Sequence, residues 1–222
     1  MKRVIAVIAT EAKLLEEFTL KPIWKSLEKQ NNLHDNFDFI IIKDNKEGLS
    51  KIYNKYLKDP KHKNDILLFV HDDVELEDIF LVDKLNDSPY AVTGLAGCKQ
   101  VDLKQPPAWH LMSPRDSHVG EVSHAADNKT WTSIFGPTNS RALLIDGLFI
   151  AVDVEKLNEK QLLFDEDFEF HHYDLSFCLN CNKHKITVGV LPIKVVHHGL
   201  GDSMNTPEWQ KSAKKFSEKF NK

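Results

Sequence analysis

Ile66-Leu67-Leu68-Phe69-Val70 is an unbroken apolar run that empties into His71-Asp72-Asp73. Five apolar residues bounded by Asn64-Asp65 and by an acidic pair read as a strand buried on both faces. Such strands belong to parallel α/β sheets, where ligands sit beyond the carboxyl ends. Two carboxylates and an imidazole at such an end suit a hard divalent cation held mainly through oxygen. The same aspartates would also serve a plainer purpose, capping a helix that starts near Leu76. One Asp suffices for a cap, so the doubled acid points toward function.

Outward from this strand the chain alternates. Toward the N-terminus, Val4 to Ala9 reads as a buried strand ended by Thr10-Glu11, and 14–30 as a helix kinked or broken by Pro22. Residues 37–42 form a second strand ending at Lys43-Asp44-Asn45, and 47–58 a helix closed by Pro60. Toward the C-terminus, 76–85 reads as a short helix and 90–95 as a fourth strand. Alternation predicts a parallel sheet with right-handed crossovers. It lapses over 99–141, where Pro, Gly, Ser, Asn and His are frequent. Trp109, His110, Trp131 and Phe135 argue against disorder there, so the segment is expected to be an irregular wall of a cleft. Strands return at 142–152, interrupted by Asp146-Gly147, and at 186–191 and 194–196, the last running into His197-His198-Gly199. Residues 170–182 read as a helix. A terminal helix starts at Pro207, with Thr206 as its cap.

The bulk properties narrow the class. The 222 residues, 41% hydrophobic and 28% charged, suit one large α/β domain of a soluble protein. A net charge of −4 gives no support for a nucleic-acid surface. Three cysteines argue against a disulfide framework, and Cys178 and Cys181 inside a helix read as packed thiols. The N-terminal apolar run is too short for a secretory signal, and no stretch reaches the ~20 apolar residues of a membrane span, which predicts a cytoplasmic protein.

Taken in order, the motifs resemble a family 2-type nucleotide-sugar glycosyltransferase of the GT-A fold. The resemblance runs from Val4 to about Ser203 and rests on eight stretches: Val4–Thr10, Asp44-Asn45, the helix from Gly48 to Asn54, Phe69 to Val74, Ile145 to Phe149, Phe164 to Phe168, His172 to Leu175, and Val196 to Gly199. It implies a single GT-A-like (Rossmann-like) α/β domain with a mostly parallel central sheet flanked by helices. Residues 1–98 would be the nucleotide-binding half, 99–141 the irregular cleft segment, 142–205 the acceptor and catalytic half, and 206–222 the C-terminal helix. Two positions depart from the family pattern. His71 stands where an Asp-x-Asp motif would begin, and Ser176 where a second helix aspartate is common.

The resemblance implies transfer of a sugar from a nucleoside-diphosphate sugar to an acceptor hydroxyl, with inversion. A divalent cation, Mn²⁺ or Mg²⁺, would offset charge on the departing diphosphate. Asp73 would be its principal ligand with Asp72 adjacent, and His197 or His198 would complete the site; pleat alternation lets only one of these two face it. Asp174 would be the general base, though a first-turn aspartate also fits a helix N-terminus. Thr10, Glu11, Asp44, Asn45 and His71 would contact the donor, Asp44 having a turn role as its alternative. Asp146 and Gly147 would lie near the sugar or acceptor, Gly147 allowing close backbone approach. Trp109 and Trp131 suit sugar stacking or core packing equally. The implied partners are a nucleoside-diphosphate sugar (UDP by default) and a glycan or lipid-linked acceptor in surface polysaccharide or lipopolysaccharide synthesis, with no nucleic acid. Membrane association would be at most peripheral, at the inner face. Two rivals stay open: a non-catalytic nucleotide-sugar or glycan-binding module on the same fold, and a metal-dependent phosphoesterase.

Overall fold

Val4–Ala9 (β1), Phe37–Ile42 (β2) and Ile66–Val70 (β3) lie parallel with β1 in the middle, Val4 facing both Phe37 and Ile66. Every residue of β3 is buried, as its continuous apolar run requires. The structure is a computed structural model and describes residues 1–158, 162–199 and 204–221. Ser203, where the family resemblance ends, and Lys222 lie outside the described residues. Leu15–Phe18 (α1) and Ile23–Leu33 (α2) are separate helices, broken at Pro22, which has no N–H to continue the ladder. Leu49–Leu57 (α3) packs on β1 and β3.

The segment after β3 departs from the expected helix at 76–85. Val74–Leu76 (β4) is a short strand, its buried Val74 and Leu76 alternating with Glu75, and Leu81–Asn86 (α4) begins five residues later. Neither Asp72 nor Asp73 caps α4, whose N-cap is Phe80. Val92–Gly94 (β5) and Ala96–Cys98 (β6) follow. The 99–141 segment is more regular than expected. His118–Ala126 (β7) and Lys129–Ile134 (β8) form an antiparallel hairpin, and Ser140–Arg141 (β9) is a brief strand. The hairpin turns at Asp127 and Asn128, with φ of 50° and 59°, the left-handed pair of a two-residue turn that Asp and Asn tolerate. β8 is exposed at all positions but Ser133, so it carries no in–out alternation to read.

Leu144–Ile145 (β10), Phe149–Asp153 (β11), Val154–Asn158 (α5), Tyr173–Lys183 (α6), Val188–Val190 (β12), Val195–His197 (β13) and Pro207–Phe220 (α7) complete the chain. The seven-stranded sheet has the order β2-β1-β3-β11-β5-β12-β9, and the second sheet the order β10-β6-β7-β13-β4 with β8 paired to β7. The expectation of a mostly parallel sheet is corrected. β11 runs antiparallel to both β3 and β5, and β9 antiparallel to β12, so the sheet is mixed. The reversal at β11 has a consequence for position. Phe149 faces Val70, so the residues just before β11 emerge at the same sheet end as those just after β3. The architecture is GT-A-like and Rossmann-like α/β.

The core is continuous among the described residues. Behind the carboxyl end of β3, Phe69 stacks on Tyr53 at 4.2 Å between centroids, and Phe164 stacks on Phe177 at 4.0 Å. Tyr53 also meets Tyr173 edge-on. This aromatic block holds the start of α6 against the end of β3. Cys178 and Cys181 are buried free thiols, as their packed-thiol reading expects, and so is Cys98.

Candidate active site

Two cavities meet at the carboxyl end of β3 and share His71 and Phe170. The first, of about 360 Å³, is lined by the ends of β1 and β3: Thr10, Glu11, Lys21, Asn45, Tyr53 and His71-Asp72-Asp73. The second, of about 210 Å³, is lined by Trp109, His110, Asp146, Gly147, His171, Asp174 and Trp209 among others. Strand ends supply the first because backbone hydrogen bonding stops there and leaves side chains and amides free to face a ligand.

In the first cavity Asp72 is tied down. The Thr10 hydroxyl donates to its Oδ2 at 2.6 Å, and Lys21 Nζ lies 3.0 Å from the same oxygen. Asn45 is engaged with Glu47 through both ends of its amide, while its backbone N–H donates to Thr10. Asp44 sits in the adjoining turn with φ 47°, beside Lys46, and does not line the cavity. This is the turn placement that its chemistry allowed.

Asp73 faces His197, with Oδ2 and Nε2 3.4 Å apart. Antiparallel pairing of β13 with β4 sets His197 opposite Val74 and so beside Asp73. His198 turns the other way, its Nε2 3.1 Å from Glu75. Burial alone would raise the Asp73 carboxyl, but the hydrogen bond and charge of His197 outweigh it and leave it below the usual carboxylate range. The same bond raises His197. Asp73 Oδ1 and His197 Nδ1 are buried and have no hydrogen-bond partner among the described residues. Orphaned atoms of this type on a carboxylate and an imidazole are what a cation site leaves when only protein is present. No group of three or more metal-ligating side chains gathers among the described residues; Asp73 and His197 are the carboxylate–imidazole pair whose donor chemistry would suit a divalent cation.

The second cavity holds two acids, Asp146 and Asp174. Trp109 Nε1 donates to Asp146 Oδ2 at 2.8 Å, and the Leu148 N–H to Asp146 Oδ1. Trp109 is buried, so it braces the wall rather than presenting a free face. Tyr173 donates to the Gly147 carbonyl at 2.9 Å, and its oxygen lies 2.9 Å from His71 Nε2, linking the two cavities. A Cβ on Gly147 would stand 2.6 Å from the Tyr173 hydroxyl and 3.2 Å from the Asp174 Cβ. The glycine is therefore required by close approach, not by its φ. Asp174 follows in the first turn of α6. Burial, then the charge of Asp146, pushes its carboxyl up to about 7, against backbone N–H bonds that pull it down. A carboxyl at that value is matched to proton transfer near neutral pH.

Several participants carried no sequence signal. Lys21, Phe170 and Tyr173 reach the cavities through tertiary packing alone. His124 on β7 lies with its ring 5.6 Å from that of His197, and Trp131 stacks on its far side at 5.3 Å. Trp131 thus packs on the His197 side and lines neither cavity. His172 is buried, accepts or donates at Ser212 of α7 and packs on Trp209, so it docks the last helix. Its imidazole is pushed down to about 4 by burial and by His171. Asp165 and Asp167 pair with Lys219, and Asp167 also with Lys215, which ties α7 to the turn before α6.

With that geometry in view the comparisons are consistent. The chain belongs to a glycosyltransferase-like family, whose model matches residues 25–220. Among solved structures it is similar to A197 from STIV, at TM-score 0.51 and 14% identity over 88% of this chain and 85% of that one. It is also similar, more distantly, to the inositol-1-phosphate CTP transferase from T. maritima, at TM-score 0.42 and 11% identity over 98% of this chain and 97% of that one. The first likeness is one of fold, and nothing below depends on the second. No curated protein matches the chain. Family membership supports a glycosyltransferase. No helix among the described residues is long and apolar enough to cross a membrane.

Proposed function

We propose that this protein transfers a sugar from a nucleoside-diphosphate sugar to an acceptor hydroxyl in one inverting displacement, assisted by Mn²⁺ or Mg²⁺. The observation that most supports this is Asp174, an acid held near 7 on the floor of one cavity where that cavity adjoins a second one built from strand ends. The strand-end cavity takes the nucleoside diphosphate, with Thr10, Glu11 and Asn45 toward the nucleoside and His71-Asp72-Asp73 toward the phosphates. Asp73 and His197 would hold the cation jointly with the diphosphate; when bound, it supplies Lewis-acid stabilisation of the leaving group. His198, paired to Glu75, supports His197 from the next position instead of ligating.

The acceptor enters the second cavity. Asp174 takes the proton of its hydroxyl as that oxygen attacks, a contribution of roughly 10²–10⁴-fold. Asp146, oriented by Trp109, keeps Asp174 basic by charge repulsion and offers a hydrogen-bond acceptor to sugar hydroxyls. Tyr173 joins Gly147 and His71 and fixes the distance between the two cavities. Asp146, the other carboxylate of this cavity, has one oxygen held by Trp109 and the other by the Leu148 N–H, which disfavours it as a nucleophile and supports inversion. On this reading 1–98 is the nucleotide half and 142–205 the acceptor half of one unit. UDP is the default donor nucleotide, the acceptor is a glycan or lipid-linked sugar of surface polysaccharide or lipopolysaccharide, and the setting is cytoplasmic, at most peripheral to the inner face of the membrane.

Calorimetric titration with UDP, GDP, CDP and dTDP, each with Mn²⁺ and with EDTA, tests this. The expected result is binding of one nucleotide that weakens sharply in EDTA and in Asp73→Ala. No binding under either condition would move the weight to a phosphoesterase. Metal-dependent binding with no transfer to any acceptor, unchanged in Asp174→Asn, would indicate a binding module.

A further inference from the structure

A third cavity, of about 550 Å³, lies beyond the acceptor cavity and shares His110 with it. It is lined by His110, Ser113, Arg115, His118, Ser133, Ile134 and Phe135. Trp109 forms the partition. Its ring meets His110, His118 and Phe135 edge-on, at centroid distances of 5.5, 5.1 and 5.0 Å, while its N–H faces Asp146 on the other side. One rigid aromatic thus separates the acceptor cavity from this one and fixes their spacing.

The lining chemistry has one sign. It contains a guanidinium, two imidazoles and two hydroxyls, and no carboxylate. Arg115 is exposed and makes no ion pair or side-chain hydrogen bond with any described residue. His118 is nine-tenths buried, yet its Nε2 has no hydrogen-bond partner. A buried ring nitrogen without a partner costs free energy unless a ligand meets it. The Ser113 hydroxyl donates to the Trp109 carbonyl at 2.7 Å and so stiffens the partition, whereas the Ser133 hydroxyl makes no hydrogen bond with any described residue. Ile134 and Phe135 add an apolar side, suited to the flat face of a sugar ring.

We infer that this cavity is an acceptor subsite for an anionic sugar, binding the phosphate or carboxylate substituent of a residue adjoining the one that receives the transferred sugar. Arg115 supplies a charged fork to the anion, His118 a buried donor, and His110 stands at the passage from the reacting residue. The inference deepens the proposed transfer by naming the acceptor class and rests on the second cavity being the acceptor side.

The test uses the full chain with ¹³C-labelled histidine, following the His110 and His118 ring signals. The probes are D-glucuronate, glucose 6-phosphate, inorganic phosphate and neutral glucose, added to wild type and to Arg115→Ala. Arg115 is exposed, so its replacement leaves the packing intact. The expected result is saturable shifts with glucuronate or glucose 6-phosphate and none with glucose, weakened at least about tenfold by Arg115→Ala through loss of a charge-assisted bond. Equal shifts with glucose, no shift with either sugar anion, or indifference to Arg115→Ala would overturn it. Inorganic phosphate binding as tightly as the sugar anions would overturn it too, because the site would then hold a free ion. Nucleotide binding is read separately at the strand-end cavity. Absence of that binding with sugar-anion binding retained would sink the transfer reading and with it the acceptor role, leaving an anionic-sugar site; the reverse would sink the subsite alone.

Discussion

At the residue scale Asp174 carries the most pointed consequences. Its folded carboxyl titrates at about 7 against an ordinary value of 3.8. The folded state therefore binds a proton that the unfolded chain has already released between these values, and stability falls as pH rises through that window. Asp174→Asn removes the penalty. It should abolish transfer, leave nucleotide binding intact, and raise stability at pH 8 by up to roughly 4 kcal/mol while changing it little at pH 4, as thermal melts at the two values would read. Wild-type turnover should climb through an inflection near 7 as Asp174 deprotonates, and a flat pH–rate profile would exclude it as the base. Gly147→Ala tests the neighbouring constraint. The new Cβ meets the Tyr173 hydroxyl and Asp174, so the variant should lose about 1–3 kcal/mol of stability and most of its activity while retaining nucleotide affinity. Normal turnover in that variant would show that the cavity floor yields.

At the element scale the β7–β8 hairpin and α7 frame the site from outside. The hairpin presents His124 to His197, and its turn depends on Asp127 and Asn128 staying left-handed. Asn128→Val should destabilise the chain by roughly 1–2 kcal/mol and Asn128→Gly should be near neutral, since only a β-branched residue is strained there. Denaturant midpoints would separate the two, and equal effects would mean the turn is not under conformational control. α7 is held by Thr206, whose hydroxyl accepts from the Trp209 N–H, and by the bond between His172 and Ser212. The start of this helix and its N-cap were legible. Thr206-Pro207 gave the helix start because Pro needs no donor at the first position. The hairpin was not legible, because an exposed ribbon with two wet faces lacks the periodicity that burial imposes.

At the scale of the whole molecule the two sheets bring the candidate metal pair together from residues far apart in sequence. Asp73→Ala should uncouple it. The His197 imidazole would fall back toward its ordinary value, visible as a downward move of its NMR titration, and Mn²⁺ would no longer strengthen nucleotide binding. An unmoved His197 titration would mean that Asp73 is not its partner in solution. Behind the pair, Phe69 is fully buried against Tyr53 and Phe164, and Phe69→Ala should cost about 3–5 kcal/mol. Because the same aromatic block seats Tyr173, that variant should lose activity in folded protein as well.

The sequence by itself determined the parallel strands β1, β2 and β3 to the residue, since apolar runs bounded by polar residues admit few alternatives; β1 and β3 are buried, and the edge strand β2 is only partly so. It also determined the acids at the end of β3 and the glycosyltransferase-like character of the chain. Tertiary structure alone decided the rest. Only the antiparallel insertion of β11 brings Asp146-Gly147 to the end of β3, and only the pairing of β13 with β4 sets His197, not His198, against Asp73. Lys21, Tyr173 and Arg115 stand in the cavity walls, and His124 against His197, because of contacts between distant segments. Local periodicity reports which face of an element is buried, but not which other element covers it, and it is that choice of neighbour that shapes the cavities and shifts Asp174.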